Sequence, residues 1–414
     1  MRVPPGLRAL HHRDFRLFVF GQLVSLVGTW MQRVGQAWLV LELTNSPFKL
    51  GLIGTLQFGP MLCFSFLAGA IADRVPKRRM IIGTQTALML QAFVLCLLVW
   101  TGRVQYWHVA VLAVLYGIAT TLDVPCRQSF VVEMVGKEDL SSAIALNSAG
   151  FNTARMVGPA VAGLLVDWYG VAPAFLLNGL SFLPVILALL AIRAEGLPRR
   201  EGVTTVGQDI ATGLRYAAGT PRVALILGLL LFVSLFVLNH SVLTPLLARQ
   251  VLHGGAHEFG LLMTALGAGA LLGALTLTLS GRSRPPLSFL IGAALVCSAA
   301  TLALAAVRHF GLAFLVLALA GFSQIVFTAN CNTTLQLVVP DSLRGRIMSL
   351  YAFVFAGITP FGSFLVGSLA ELFGVPTAYA VGGGFGLLSV VTLAAMAARK
   401  AGNEEFRVDR SSYW

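Results

Sequence analysis

The chain has 414 residues, of which 57% are hydrophobic and only 11% charged, less than half the charged share of an ordinary soluble domain, so a soluble globular protein is excluded. At about 20 apolar residues per bilayer crossing, a dozen crossings would use about 240 residues and leave short loops, with no room for a large soluble domain. The 29 basic and 17 acidic residues give a net charge of +12, a nucleic-acid signal in a soluble chain, but in a membrane chain first a question of which side each charge lies on.

In chain order, long apolar runs broken by charge or by Pro/Gly clusters predict an all-α polytopic membrane protein of twelve transmembrane helices. These lie near residues 15–41, 48–72, 79–101, 106–127, 143–166, 172–193, 222–247, 258–280, 286–307, 311–336, 345–369 and 375–398. The first run follows Arg8, Arg13 and Arg16, is too long for a signal-peptide core and has no small-residue cleavage site behind it, so it is read as an uncleaved helix. Along it Gln22, Ser25, Thr29, Gln32 or Arg33, and Gln36 recur every three or four residues, a polar stripe that in lipid has to face water or protein. Gly21, Gly28 and Gly35 lie seven apart and read as a packing seam. The fourth crossing carries Tyr116, Thr120, Asp123 and Arg127 at helical spacing, and the fifth reads Asn152-Thr-Ala-Arg155-Met-Val-Gly158-Pro159-Ala-Val-Ala-Gly163. Between the sixth and seventh crossings, Val206, Ile210, Leu214 and Ala217 recur at helical spacing with polar residues elsewhere around the turn, which predicts a short amphipathic helix on the inner membrane surface. The seventh crossing offers Asn239, His240 and Thr244, and the tenth Gln324, Thr328, Asn330 and Asn332. Cys63, Cys96, Cys126, Cys297 and Cys331 are scattered through apolar runs with no metal-ligand spacing and read as small hydrophobes, so neither a metal nor a cofactor is expected.

With the N-terminus placed inside, 23 of the 29 basic residues fall on the cytoplasmic side, only Lys49, Arg103, Arg249 and Arg308 fall outside, and Arg33 and Arg155 fall within crossings. That asymmetry puts both termini in the cytoplasm. Thirteen acids lie inside, Asp123 included, and four outside, so the +12 is mainly a topology signal whose remainder is Arg33 and Arg155. The long gap gives a division into a six-helix bundle over 1–193, a linker over 194–221, a second six-helix bundle over 222–398 and a cytoplasmic tail over 399–414. The halves match at an offset of 204 residues: Gly117 with Gly321, Gly158 with Gly362, Gly163 with Gly367, Asp167 with Glu371, Gly170 with Gly374 and Gly179 with Gly383. Two parallel six-helix pseudo-repeats place a substrate site between them near the bilayer midplane.

After the second crossing stands Gly69-Ala-Ile-Ala-Asp73-Arg74-Val-Pro76-Lys77-Arg78-Arg79. This resembles the signature of the major facilitator superfamily, with Pro76 where the family usually has glycine and Lys77 where arginine is common. The resemblance implies a conformational latch at the inner face. Gly69 would allow close helix packing, Asp73 would face a helix N-terminus of the other half, and Asp123 would be the partner acid, with Arg74, Arg78, Arg79 and Arg127 as the basic members. Plain topology determination is the alternative for Arg78 and Arg79. In the second half the corresponding loop keeps Arg282 and Arg284 without an acid. The stretches Asp123-Val-Pro125-Cys-Arg127-Gln128 and Pro340-Asp341-Ser-Leu-Arg344-Gly345-Arg346 are similar to the branch containing the bacterial enterobactin exporter and related drug-efflux proteins. Gly158, Pro159 and Gly163 resemble the helix-packing motif of antiporters, with Ala154 and Ala162 replacing two of its glycines. The superfamily resemblance also implies that helices one, four, seven and ten line a central cavity, which agrees with the polar stripes; with Asn152 and Arg155 of the fifth crossing added, the expected cavity residues are Gln22, Ser25, Thr29, Arg33, Gln36, Tyr116, Thr120, Asn152, Arg155, Asn239, His240, Gln324, Thr328 and Asn330.

A buried arginine costs several kcal/mol unless it is paired or hydrated. Arg33 and Arg155 therefore read either as the cationic face of a water-filled cavity that takes an anion bidentately, or, for Arg155, as a strap to a neighbouring carbonyl or to Asp123. Proton coupling needs a group that changes charge, and Asp123 and His240 are the candidates. The expectation is secondary active, proton-coupled efflux of a small anionic or amphipathic molecule, siderophore-like or a drug, by a monomer in the bacterial inner membrane that binds no nucleic acid. Uptake by symport remains the alternative, since fold does not set direction. A membrane-embedded enzyme is disfavoured because the chain has no His-Glu-x-x-His, Gly-x-Ser-x-Gly or Cys pair, and ATP-driven transport because it has no phosphate loop.

Overall fold

The structure, a computed structural model, describes residues 5–195, 206–280 and 286–411. Helix is the sole regular element among them. The first half comprises α1 (Arg13–Thr44), α2 (Pro47–Arg74), α3 (Lys77–Trp100), α4 (Tyr106–Val135), α5 (Leu140–Tyr169) and α6 (Ala172–Ala191), preceded by a short 3-10 turn, Pro5–His11. A linker helix α7 (Val206–Gly219) follows, then α8 (Pro221–Phe236), α9 (His240–Leu246), α10 (Ala256–Leu279), α11 (Leu287–Ala303), α12 (Phe310–Val338), α13 (Asp341–Ala352), α14 (Thr359–Phe373) and α15 (Val375–Ser411). Among the described residues eight spans are long and apolar enough to cross a membrane: α3, α4, α6, Pro221–Val251, Ala256–Ser280, α12, Leu343–Phe373 and Val375–Arg399. The other four expected crossings fall on α1, α2 and α5, which are 32, 28 and 30 residues long, and on α11, an apolar helix of 17. The residues expected to form a tail continue α15 as far as Ser411.

Local chemistry sets the helix ends. Ser46 caps α2 by accepting from the Lys49 N–H at 3.2 Å, with Pro47 in the first turn, where a missing N–H costs nothing. The repeat-matched Gly170 and Gly374 end α5 and α14 at φ 75° and 85°, a left-handed conformation open to glycine, which explains why both halves keep glycine there.

Close packing within and between the halves follows the small residues. Gly21, Gly28 and Gly35 all close on α6: a Cβ on Gly28 would stand 2.2 Å from Ser181 Oγ, and one on Gly21 2.8 Å from Val185 Cα. Two further seams join the halves. Gly163 of α5 meets Gly260 of α10, and Gly51 of α2 meets Gly367 of α14, each so closely that a Cβ would lie 3.0 Å or less from the opposing Cα. Pro159 contributes its carbonyl to the first seam, while Gly158 faces Trp30 and Val27 of α1.

The two seams between the halves belong to one end of the molecule. There, residues of both halves form a single apolar core that includes Leu39, Val40, Val109, Val166 and Ala174 with Leu246, Phe259, Val307, Ala370 and Ala378. At the end carrying the termini the core splits in two, one around Phe15, Phe18, Ile81, Phe130 and Leu189, the other around Val223, Leu290, Phe327, Leu335 and Ile347. The halves are thus welded at the end distal to the termini and separately cored at the other. Helix α7 docks on α13, where a Cβ on Gly213 would lie 3.4 Å from Arg346 Cβ and from Leu350 Cδ1. Ala217 is buried and Leu214 is exposed, so the expected apolar face is divided between protein and surroundings; the side chains of Val206 and Ile210 lie outside the described residues.

Candidate functional site

Between the halves lies a cavity of about 700 Å³. Helix α1 supplies Trp30, Arg33 and Gln36, α2 supplies Ile53, Gln57 and Phe58, and α5 supplies Phe151 and Arg155. From the second half come Ser234, His240 and Ser241 around the α8–α9 break, Phe259 and Met263 of α10, Gln324, Thr328 and Asn332 of α12, and Tyr351, Phe355 and Thr359 around the α13–α14 junction. Both breaks are irregular backbone at membrane depth, which is tolerated where it lines a cavity or is covered by protein. At the first, Leu238 N–H reaches back to the Val233 carbonyl at 3.1 Å and Asn239 Nδ2 donates to the Leu235 carbonyl at 2.8 Å, so the freed groups find partners. The second is a π-helical turn, Phe353–Gly357.

The repeat runs through the cavity wall. Trp30 and Ser234, Val34 and Leu238, Gln36 and His240, Phe151 and Phe355, and Arg155 and Thr359 all line it, and each pair is 204 residues apart. Geometry is conserved across the pseudo-axis while chemistry is not: the arginines stand in the first half, hydroxyls and amides in the second.

Arg33 and Arg155 share one indole, with their guanidinium carbons 4.6 Å and 5.9 Å from the Trp30 ring centroid, a placement that lets the π face offset part of a desolvated charge. Phe151 meets that ring edge-on at 5.7 Å. Across the cavity Arg155 Nη2 donates to Gln324 Oε1 at 3.0 Å, a hydrogen bond between the two halves. The Nε atoms of both arginines and both ring nitrogens of His240 are covered and have no hydrogen-bond partner. Among the described residues the cavity lining contains no Asp or Glu.

Six expected residues, Arg33, Gln36, Arg155, His240, Gln324 and Thr328, line this cavity. Gln22, Ser25 and Thr29 lie outside its lining; Gln22 and Ser25 are buried, and Thr29 donates to the Ser25 carbonyl at 2.9 Å. Gln32 turns into the first half and links Gln91 and Asn178 at 2.9 Å and 2.6 Å. Asn152, Asn239 and Asn330 are buried, each donating to the carbonyl four residues earlier. Helix α4 contributes nothing to the lining, contrary to the expectation for helices one, four, seven and ten: Tyr116 packs in a cluster with Leu88, Ala119 and Phe182, and Thr120 returns its hydroxyl to the Tyr116 carbonyl. The aromatic wall of Trp30, Phe58, Phe151, Phe259, Tyr351 and Phe355 escaped sequence reasoning. Phenylalanine is common throughout an apolar chain, and the one available signal was the repeat-matched Phe151 and Phe355.

The latch residues separate. Asp123 is fully buried, accepts from Thr84 Oγ1 at 2.7 Å and Gln85 Nε2 at 3.0 Å, and pairs with Arg127 one turn on. Every partner is in the first half. Arg78 donates to the Leu189 and Leu190 carbonyls at 2.6 Å and 2.7 Å, capping the C-terminus of α6, where a cation suits the helix dipole. Arg74 and Arg79 are exposed. Among the described residues no atom of another helix lies within 4 Å of where a Cβ on Gly69 would stand, so the close helix packing expected there is not made to a described neighbour, at an end where the two cores are separate. The side chain of Asp73 and the residues Arg282 and Arg284 lie outside the described residues.

Two pseudo-repeated helical halves, joined at one end and enclosing a central cavity, define a transporter of the major facilitator type. The chain belongs to the transmembrane secretion effector family, whose model matches residues 5–412. Curated relatives are the staphyloferrin A transporter of Staphylococcus aureus, 26% identical with 89% of this chain and 92% of that protein covered, and the multidrug efflux pump Tap of Mycolicibacterium fortuitum, 28% identical with 87% and 90% covered. The enterobactin exporter EntS of Shigella boydii is 28% identical, with 92% and 91% covered. Family and relatives are transporters rather than enzymes. Solved structures share the fold: a POT family transporter in complex with a thioalcohol-conjugated peptide (TM-score 0.77, 10% identity, 94% and 96% covered) and a bacterial homologue of the human lysosomal transporter Spinster, inward-facing and unoccupied (TM-score 0.69, 15% identity, 96% and 96% covered).

Proposed function

We propose that this chain is a proton-coupled exporter of a small anionic, amphipathic molecule, siderophore-like or a drug, working as a monomer by alternating access in a bacterial inner membrane with both termini in the cytoplasm. The observation that carries the reading is the pair of arginines on Trp30 in a cavity with no carboxylate among its described lining residues. A guanidinium fork suits carboxylate or catecholate oxygens, and the aromatic wall suits the apolar part of such a cargo. The charge bias supports the orientation, with 23 of 29 basic residues on the side of the termini, and the siderophore- and drug-handling relatives support the cargo class. All twelve long helical segments cross the bilayer in this reading.

Of the two coupling candidates, His240 has the better position. It faces the cavity with both ring nitrogens unpartnered, whereas the charge of Asp123 is already met by Arg127, Thr84 and Gln85. Asp123 then shapes the first half, and the Gly69–Arg79 motif closes the terminal end in the opposite state.

The test is uptake into inside-out vesicles, comparing anionic siderophore-like compounds with cationic dyes, with and without a proton gradient. Gradient-dependent accumulation of the anions is expected. Accumulation of cations alone would refute the anion reading, and His240→Ala vesicles that retain full gradient dependence would remove the histidine from the coupling step.

A further inference from the structure

The charged groups at membrane depth differ in what answers them. Arg127 has the Asp123 carboxylate, and Lys77 near the terminal end has Glu133 at 2.6 Å. Arg33 and Arg155 have only neutral partners, the shared Trp30 ring and the Gln324 amide. Each keeps a covered Nε–H with no acceptor, and among the described residues neither forms an ion pair with a carboxylate. Two positive charges therefore converge on one wall with spare donors and no counter-charge from the protein. A carrier has to pass through a closed intermediate, and closing this cavity would strip water from both guanidinium groups; the cost of an unneutralised buried charge is among the largest single terms available. An indole and an amide answer part of it, not a net charge of two.

We propose that between substrate loads the Arg33–Trp30–Arg155 cradle holds a small inorganic anion, chloride or phosphate, which supplies the missing counter-charge. The Nη–H groups of the two guanidinium forks that are not used on Gln324 give it donors at the cavity wall, while the covered Nε–H groups leave the rest of each fork's charge unanswered. Resting on the export reading, a further clause follows: the acidic group of the cargo enters by displacing this ion, so inorganic anion competes with cargo at one site.

The test needs no cargo. The purified full-length chain in detergent, at constant ionic strength set with sodium gluconate, is titrated with sodium chloride in one arm and sodium phosphate in another while the melting temperature is followed. A saturable rise is expected in at least one arm, with half-saturation moved upward by about tenfold or more in Arg33→Gln and Arg155→Gln, as expected on losing a charge-assisted donor. Arg33→Lys and Arg155→Lys keep the charge and lose the fork; they should still saturate, at higher concentration, and they decide the matter if the glutamine variants do not fold. A rise that never saturates, or one of the same size and midpoint in all variants, overturns the proposal as a general salt effect. Failure of anion export in vesicles alongside a saturable, arginine-dependent shift would refute the cargo assignment and leave the ion site standing.

Discussion

At the scale of single residues, the cavity is a contest between two guanidinium groups and what answers them. Arg155 is held by Gln324 of the other half and by Trp30 of its own. Arg155→Gln should lower export of an anionic probe by about tenfold to a hundredfold, the worth of one charge-assisted hydrogen bond at about 1.5–3 kcal/mol. Export of an uncharged probe through the same vesicles should change far less. Gln324→Leu removes the acceptor without touching the charge, so it should alter transport rate more than anion preference; equal loss for charged and neutral probes would support that split. The arginines were legible in the sequence because depth in an apolar run is enough to single them out. The polar stripes were legible as faces, but not as directions. Thr120 and Thr121 satisfy themselves on the Tyr116 and Gly117 carbonyls at 2.8 Å and 2.7 Å, and a hydroxyl bonded one turn back makes no demand on what the face meets. Periodicity therefore could not tell a cavity wall from a helix interface at Thr29, Tyr116 or Thr120.

At the scale of elements, the distal end is held by a cap as well as by glycine seams. Glu371, at the end of α14, accepts from Ser46 Oγ at 2.8 Å and from the Phe48 N–H at 3.0 Å, so a carboxylate of one half sits on the N-terminus of a helix of the other, where the dipole favours it. Its repeat mate Asp167 lies beside Gly255, whose N–H is instead taken by Glu258 of the same helix at 2.7 Å. Only the first of these caps bridges the halves. Glu371→Ala should loosen α2 from α14; a Ser363→Cys probe within that seam, in a background without native cysteines, should then react several-fold faster with a membrane-impermeant maleimide. Seam glycines should behave differently from Gly69. A Cβ on Gly269 would stand 1.9 Å from the Ala318 carbonyl oxygen, and Gly269→Ala should destabilise by about 1–3 kcal/mol through overpacking, read as a lower melting temperature in detergent. Gly69→Ala, in open space, should not shift it.

At the scale of the whole molecule, the pattern of cores is the mechanical statement. One shared core at the distal end and two separate cores at the other describe a carrier closed on one side; under the proposed alternating access, the shared core has to part. Bridging Ser46→Cys and Glu371→Cys, at positions whose native side chains meet across the halves, with a short reducible bis-thiosulfonate linker should therefore stop transport, and a reductant should restore it; full activity of the cross-linked protein would contradict opening at that end. The architecture was legible at this scale because hydropathy, basic-residue asymmetry and the 204-residue offset are properties of long segments and survive local error. Which side is closed was not legible, because it depends on how apolar surfaces of nearly equal quality pair, as when Gly163 meets Gly260 and Gly51 meets Gly367.

The duplicated wall has an evolutionary reading. Arg155 stands opposite Thr359, and Gln36 opposite His240, at positions whose backbones are already matched by the repeat. Moving the cationic face to the other half, or abolishing it, would take a handful of substitutions at places the fold already offers to the cavity, with no helix to rebuild. A scaffold of this kind lets cargo preference drift quickly while the carrier persists, as a shared lock body accepts recut wards, and it offers one reason why similar chains handle cargoes as different as siderophores and drugs.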